Sequence, residues 1–136
     1  MLAFPMPEGG SLVLGTAGQP DTLAGTANND IIVGADAGEL LFGAAGNDLM
    51  IGGGGADVFA FTHATAPGKV DVVYDFQSGQ DVLDFINVSP KEVTPHDTPQ
   101  GLEIWYGGLG GIGADHAVVL LWGVHEVQPA HDLVFT

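Results

Sequence analysis

Residues 16–60 divide into five consecutive units of nine residues, which read TAGQPDTLA, GTANNDIIV, GADAGELLF, GAAGNDLMI and GGGGADVFA. The sixth position of every unit is an acid, and the eighth is a bulky apolar residue. Two columns kept over five units indicate a stacked repeat, because one such unit cannot bury its own apolar side chain. The acids are Asp21, Asp30, Glu39, Asp48 and Asp57, and the apolar residues are Leu23, Ile32, Leu41, Met50 and Phe59.

Each unit predicts a turn followed by a short strand. The first six positions are rich in glycine, asparagine and alanine, and glycine and asparagine are typical turn residues. The last three positions predict a strand whose middle side chain points inward, since strand side chains alternate between faces. Stacking brings the acids of neighbouring loops together, where they repel one another unless a cation lies between them. A plain apolar solenoid with its acids at solvated turns is the alternative.

Calcium is the cation that suits such loops best. Ca²⁺ takes about 6–8 oxygen ligands at about 2.4 Å in flexible geometry, whereas Mg²⁺ requires a near-octahedral shell. Zinc prefers cysteine or paired histidine ligands, and the chain has no cysteine. His125 and Glu126 lack the second histidine that a zinc-protease motif needs four residues after the first. We expect no catalytic residue, and we expect surface or loop positions for His63, His96, His116, His125 and His131.

The composition excludes several other functions. The chain has 136 residues, with 17 Asp or Glu against 2 Lys or Arg, which gives a formal net charge of −15. Such a surface cannot displace the counterions of nucleic acid or bind an anionic membrane unaided. A hydrophobic content of 46% is too high for a disordered acidic tail. No stretch approaches the ~18 apolar residues of a spanning helix, and the first residues do not read as a Sec signal peptide.

The units resemble the RTX nonapeptide, G-G-x-G-x-D-x-U-x. This resemblance implies an all-β fold in which nonapeptide repeats form a right-handed parallel β-roll, capped by a C-terminal antiparallel β region. It implies that Asp21, Glu39 and Asp57 share one edge of the roll, and that Asp30 and Asp48 share the other. Each Ca²⁺ would lie between one loop and the next loop but one. Carbonyls at the first and third positions of one loop and at the second and fourth of the other would complete its shell.

The resemblance implies about two to four bound Ca²⁺ ions. The candidate ligands are Asp21, Gly25, Ala27, Asp30, Gly34, Asp36, Glu39, Ala44, Gly46, Asp48, Gly53, Gly55 and Asp57. Most of the second and fourth glycines of the motif are replaced, Glu39 stands for an aspartate, and Asp36 adds a second carboxylate to its loop. We expect the site between residues 25–30 and 43–48 to be the best formed. The site that uses residues 16–21 is expected to be the poorest.

Two later segments extend the resemblance. Residues 71–85, DVVYDFQSGQDVLDF, resemble the stretch that follows the repeats in serralysin-type secreted proteases, and alginate-epimerase R-modules end similarly. Within it, Asp71, Asp75 and Asp81 fit either an extra Ca²⁺ site or turn capping. Residues 132–135, DLVF, resemble the motif of an acid and several hydrophobic residues in C-terminal signals read by type I secretion machinery.

We expect one continuous domain with three parts. Residues 1–15 form an N-terminal lead-in strand, residues 16–60 the RTX roll, and residues 61–136 the C-terminal β cap with the secretion signal. Alternating apolar residues predict a hairpin of two strands, residues 70–76 and 81–86.

The rest of the cap is predicted from short local signals. Residues 89–92 have the pattern of a capped helical turn, and Pro95 and Pro99 predict a loop. Further strands are predicted at residues 102–106, 117–122 and 133–136, with glycine-rich residues 107–113 between the first two. Trp105 and Trp122 are expected to pack in the core or on a sheet.

These features predict a non-catalytic, calcium-binding RTX module that is secreted by a type I system and folds on Ca²⁺ binding outside the cell. The alternative is an R-module-like accessory domain that binds an acidic polysaccharide through Ca²⁺. A third possibility is that the chain is the C-terminal piece of a larger secreted enzyme, since no enzyme motif is present.

Overall fold

The computed structural model describes residues 2–6, 9–62, 69–106 and 117–136. Within these ranges the chain forms thirteen β-strands, a 3₁₀ turn at Pro90–Glu92 and a short helix, α1, at Pro129–Asp132. The strands are β1 (Leu2–Pro5), β2 (Ser11–Leu14), β3 (Thr22–Ala24), β4 (Ile31–Val33), β5 (Leu40–Phe42), β6 (Leu49–Ile51), β7 (Val58–Thr62), β8 (Val70–Val73), β9 (Val82–Ile86), β10 (Thr94–Thr98), β11 (Gly101–Tyr106), β12 (Ala117–Trp122) and β13 (Leu133–Phe135).

The strands form two sheets, and successive strands from β2 to β9 alternate between them. The first sheet has eight strands in the order β1-β2-β4-β6-β8-β12-β11-β10, and the second has five in the order β13-β9-β7-β5-β3. Neighbouring strands of the repeat pair in parallel; in β4 and β6, for example, Ile31 lies opposite Leu49. The expected all-β fold with stacked parallel strands is therefore confirmed.

The apolar column of the repeat forms the core between the sheets. Its five side chains have no exposed surface: Leu23, Ile32, Leu41, Met50 and Phe59. On β3 to β6 the inward residue lies between two residues that are exposed or half-buried. On the longer β7, Phe59 follows the half-buried Val58 and precedes two further buried residues. The parallel register stacks these side chains across the strands, so that Ile32 lies opposite Met50. Val13 and Val73 extend that row at its two ends.

The predicted hairpin of residues 70–76 and 81–86 is wrong. β8 lies in the eight-stranded sheet and pairs in parallel with β6, whereas β9 lies in the five-stranded sheet and pairs in parallel with β7. The segment between them carries the chain from one sheet to the other, as the loops of the repeat do. Apolar alternation along a strand is the same in both arrangements, so it could not distinguish them.

The C-terminal region is only partly antiparallel. β10, β11 and β12 form the expected antiparallel sheet. However, β12 joins β8 in parallel, and β13 joins β9 in parallel. The region therefore continues both sheets of the stack rather than standing apart as a separate antiparallel layer. At the other end, β1 and β2 form an antiparallel pair where a single lead-in strand is expected.

Local signals in the C-terminal region were mostly reliable. Ser89 caps the 3₁₀ turn, since its hydroxyl accepts from the Lys91 N–H and its own N–H donates to Glu92 Oε1 at 2.9 Å. Pro95 does not mark a loop, because it lies in β10. β10 is the last strand of its sheet, where a residue without an N–H is tolerated. The predicted glycine-rich segment, residues 107–113, lies outside the described residues.

Candidate metal centre

The acids of the repeat lie at the starts of strands, and most of them are buried. Asp30, Glu39, Asp48 and Asp57 directly precede β4 to β7 and are only 1–3% exposed. Asp21, in front of β3, is half-buried. Carboxylates at solvated turns would be exposed, so that alternative is wrong for the four buried acids.

Each of the later acids bonds to the backbone of the acid two units before it. The bonds run along the two edges of the stack, which carry alternate units. They are Asp30 N to Asp48 Oδ1 (2.8 Å), Asp48 N to Asp71 Oδ1 (2.8 Å), Glu39 N to Asp57 Oδ1 (2.9 Å) and Asp57 N to Asp81 Oδ1 (2.9 Å). A buried backbone N–H needs a partner, so one oxygen of each acceptor carboxylate is used to join stacked loops.

The second carboxylate oxygen distinguishes the sites. Asp30 is fully bonded, because Oδ2 accepts from the Thr26 N–H at 2.7 Å. In contrast, Glu39 Oε1, Asp48 Oδ2 and Asp57 Oδ2 are buried without a hydrogen-bond partner. A buried carboxylate oxygen without a partner costs several kcal/mol unless a cation or donor compensates it. Unpaired oxygens on stacked loops are the arrangement that a hard, oxygen-liganded cation such as Ca²⁺ fits.

Glycine at the first loop position makes room for these unpaired oxygens. A Cβ added at Gly43 would lie 2.2 Å from Asp48 Oδ2, and one added at Gly52 would lie 2.3 Å from Asp57 Oδ2. At Gly34 the distance to Glu39 Oε1 would be 2.7 Å. The recurring glycine is therefore a steric requirement of the buried acid in its own loop.

The buried acids carry raised pKa values. Burial raises the pKa of Asp48 to about 8, and the nearby charges of Asp71 and Asp30 act in the same direction. Burial likewise raises the pKa of Asp57 to about 7, with further contributions from Asp81 and Glu39. Without a cation, ionisation of these two carboxylates is therefore disfavoured up to about neutral pH.

The three candidate acids after the repeat act as caps. Asp71 and Asp81 are buried and accept the N–H groups of Asp48 and Asp57, and burial raises the pKa of both. Asp75 accepts the Gly52 N–H and the Gly53 N–H, each at 2.8 Å. These bonds are of the capping kind, and the extra Ca²⁺ site at these acids stays a prediction.

Several predicted carbonyl ligands lie in loops that differ in conformation. Loops 43–48 and 52–57 have positive φ at their second and fourth positions: Ala44 (66°), Gly46 (87°), Gly53 (81°) and Gly55 (81°). Loops 25–30 and 34–39 have no positive φ, so the residue type at the second position does not alone decide the conformation, because Ala35 and Ala44 are both alanine. Gly25 and Gly34 donate their N–H groups to neighbouring strands, and Ala27 is an exposed loop residue.

Asp36 does not join Glu39 at a shared site. Its exposed side chain accepts the Gly18 N–H at 2.6 Å and so ties its loop to loop 16–21. Two predicted carbonyls already have donors. Gly55 O accepts from Gln80 Nε2 at 2.7 Å, and Ala44 O accepts from the Lys69 ammonium.

Sequence reasoning missed a further acid of the same design. Asp132 is fully buried at the end of α1, directly before β13, and it accepts from Ser78 Oγ (2.6 Å), Gly79 N (2.9 Å) and Gln128 N (2.8 Å). Burial opposes its ionisation, but these hydrogen bonds outweigh burial and hold its pKa below the ordinary value. The signal was the acid directly before a short strand, which also describes Asp81 before β9 but does not recur at nine residues.

The remaining metal-binding candidates are weak. In the described ranges, no three or more His, Cys, Asp or Glu side chains form a metal-binding group, so any ion must draw on carboxylate pairs and carbonyls. His125 and His131 are about half exposed beside Asp97 and Asp132, and the His96 ring packs at a tilt against the Trp105 ring. His63 and His116 lie outside the described residues.

No described helix has the length and apolarity to cross a membrane.

Gly53 and Gly79 offer a matched test of loop packing. Both have positive φ, at 81° and 85°, but a Cβ at Gly53 would lie 2.1 Å from Ala35 O, whereas nothing lies within 4 Å at Gly79. We expect Gly79→Ala to cost about 1–2 kcal/mol from backbone strain alone. Gly53→Ala should cost roughly 2–5 kcal/mol because overpacking is added. Urea unfolding under one set of conditions compares them, and equal losses would contradict the stacked-loop contact.

Comparison with known proteins agrees with this geometry. Residues 19–98, more than half of the chain, match the family described as Peptidase M10 serralysin C terminal. Among solved structures, the AlgE6R3 subunit of the mannuronan C5-epimerase from Azotobacter vinelandii is similar in fold, with a TM-score of 0.51 and 24% identity over 98% of this chain and 84% of that one. No curated protein matches the chain significantly. The chain belongs to the peptidase M10 serralysin C-terminal family.

Proposed function

We propose that this chain is a calcium-binding β-roll module of a secreted protein, and that Ca²⁺ completes its fold. The observation that carries the proposal is the set of buried, unpaired carboxylate oxygens on Glu39, Asp48 and Asp57. Membership of the serralysin C-terminal family supports it. In this proposal the two-sheet stack is the right-handed parallel roll of nonapeptides that the RTX resemblance implies.

The proposed ions lie between stacked loops, two to four in number. Between loops 34–39 and 52–57, both acids bring an unpaired oxygen. Between loops 25–30 and 43–48, only Asp48 does, because both oxygens of Asp30 accept hydrogen bonds. An ion there requires Asp30 to exchange one of those bonds. The unpaired oxygens thus favour the site between Glu39 and Asp57. The sequence instead predicts the site between loops 25–30 and 43–48 to be the best formed.

Calcium would couple folding to export. Before export, at low calcium, the acidic loops repel one another and the chain stays unfolded, as a narrow secretion channel requires. Outside the cell, each site filled at 100 times its dissociation constant adds about 2.7 kcal/mol, and three sites add about 8 kcal/mol. That is comparable with the ~5–15 kcal/mol stability of a whole domain. Residues 132–135 would carry the signal for the type I secretion machinery.

Circular dichroism and thermal unfolding in EGTA, Mg²⁺ and Ca²⁺ test this proposal. We expect a cooperatively melting β spectrum in millimolar Ca²⁺ and loss of that transition in EGTA at neutral pH. Mg²⁺ should restore little of it, because it requires a rigid octahedral shell. Spectra and melting temperatures that are the same in EGTA and in Ca²⁺ would overturn the proposal.

A second candidate is Ca²⁺-dependent binding of an acidic polysaccharide. The observation that favours it is an exposed aromatic pair: Tyr74 (53% exposed), directly after β8, and Trp122 (45%), at the end of β12, stack with their ring centroids 6.3 Å apart. Aromatic faces on a surface are suited to packing against the apolar faces of sugar rings. Glycan binding that chelation abolishes while the fold persists would favour this function.

A further inference from the structure

Lys69 lies within the stacked loops, unlike the other basic residue of this acidic chain. The sequence has two lysines and no arginine. Lys91 lies in the exposed 3₁₀ turn. Lys69 directly precedes β8, and its side chain is only 12% exposed. A buried lysine in an acidic fold is stable only where it has oxygen partners.

The partners of Lys69 come from loop 43–48 and from β8. Its ammonium donates to the Ala44 carbonyl of loop 43–48. On its other side it lies 3.1 Å from Asp71 Oδ2, on a carboxylate that is 1% exposed. Asp71 Oδ2 accepts no other hydrogen bond, so the ammonium is the group that compensates it.

Asp48 belongs to the same cluster. Its Oδ1 side is joined to the stack by the Asp30 N–H, and its N–H donates to Asp71 Oδ1. Its Oδ2 is buried and unpaired; burial raises the pKa of Asp48, and the charge of Lys69 opposes that rise. The carbonyl of Ala44 and the carboxylates of Asp48 and Asp71 are the donor types that an interloop Ca²⁺ would use.

We propose that the Lys69 ammonium occupies the cation position between Asp48 and Asp71, and that this position therefore takes no Ca²⁺ in the native chain. The calcium part of the inference rests on the proposed function. Lys69 supplies one positive charge against two carboxylates, so it only partly neutralises the position. Because the ammonium is tethered to the chain, its local concentration is high. A free ion must displace the ammonium and its hydrogen bond to Ala44 O.

Ion counting tests the calcium part. We expect Lys69→Met to bind one more Ca²⁺ per chain than the wild type, measured by equilibrium dialysis with metal analysis and by calorimetry. Lys91→Met is the control and keeps the wild-type count. The double variant Lys69→Met/Asp71→Asn should return to the wild-type count, because one of the two carboxylates is gone. A folded Lys69→Met with the wild-type count would overturn the inference.

A calcium-free measurement separates this inference from the proposed function. In EGTA, the osmolyte TMAO favours the compact state, and the TMAO concentration at half-folding reports stability. Lys69→Met should need more TMAO than Lys91→Met, and Asp71→Asn should reverse most of that increase. Equal midpoints for the two lysine variants would overturn the pairing. If the wild type binds no Ca²⁺, the proposed function fails while this comparison still decides the role of Lys69.

A variant that folds poorly is also informative. Lys69→Met that needs more TMAO than the wild type to fold in EGTA, but folds in Ca²⁺ with one more bound ion than Lys91→Met, supports the inference, since the metal then replaces the ammonium. Lys69→Met that stays unfolded in Ca²⁺, while the double variant folds, contradicts it, because the position then does not accept a free cation.

Discussion

In a calcium chelator, the free energy of unfolding is expected to fall by several kcal/mol as the pH rises from 5 to 7. Asp48 and Asp57 have folded-state pKa values of about 8 and about 7, against 3.8 in the ordinary state. Between these limits the folded chain holds more protons than the unfolded chain, so stability is lost as pH rises. Each group contributes about 1.4 kcal/mol per pH unit. Burial of Asp71 and Asp81 raises their pKa values and adds to the trend.

Urea and TMAO titrations in EGTA, at successive pH values, measure this effect. The pKa of Asp132 is lowered, so its contribution is lost only as pH falls below its ordinary range and does not affect the window from 5 to 7. The double variant Asp48→Asn/Asp57→Asn is the control, because amides do not titrate. The free energy of unfolding of this double variant should change much less between pH 5 and 7. Stability that increases from pH 5 to 7 in the wild type would contradict the buried, unpaired state of these carboxylates.

Truncation of the core column is expected to have the other largest effect. Phe59 has no exposed surface and lies 6.4 Å, between ring centroids, from Phe76. Phe59→Ala should destabilise the fold by about 3–5 kcal/mol through lost burial and a cavity, which is a large share of the stability of a domain. Urea unfolding under conditions in which the wild type is folded measures the loss.

Phe42 provides the matched control for Phe59. It follows the buried Leu41 on β5 and is half-buried on the outer face of its strand. Phe42→Ala removes the same atoms but leaves no enclosed cavity, so it should cost a small fraction of the loss at Phe59. Similar losses at the two positions would contradict the assignment of inner and outer faces.

The repeat itself was predictable because its period is short and its strands are uniform. A nine-residue unit with three strand positions fixes which side chain faces inward, and Met50 and its equivalents are all buried. The same period places successive acids on alternate edges, where the bonds Asp30 N to Asp48 Oδ1 and Glu39 N to Asp57 Oδ1 join equivalent units.

The pairing of β8 and β9 and the partners of Lys69 and Asp132 were not predictable, because they depend on contacts that a local pattern does not encode. β8 pairs with β6, and β9 with β7, across separations that differ from the repeat, while the alternation of apolar residues was that of a hairpin. The partners of Lys69 lie 25 residues away, at Ala44, and close by at Asp71. Asp132 carries the acid-then-strand signal but lies 54 residues from its partner Ser78 and 53 from its partner Gly79.

The regular register also has a consequence for how the chain folds. The acid-to-backbone bonds span 18 residues within the repeat and only 23 or 24 where the stack continues into β8 and β9. Loop-closure entropy rises only slowly with length, so each added turn carries nearly the same entropic cost. Such a stack behaves as a one-dimensional array with nearest-neighbour coupling. Folding should therefore nucleate at one pair of turns and propagate by adding one neighbouring turn after another. Propagation can stall wherever a buried interloop acid must be added.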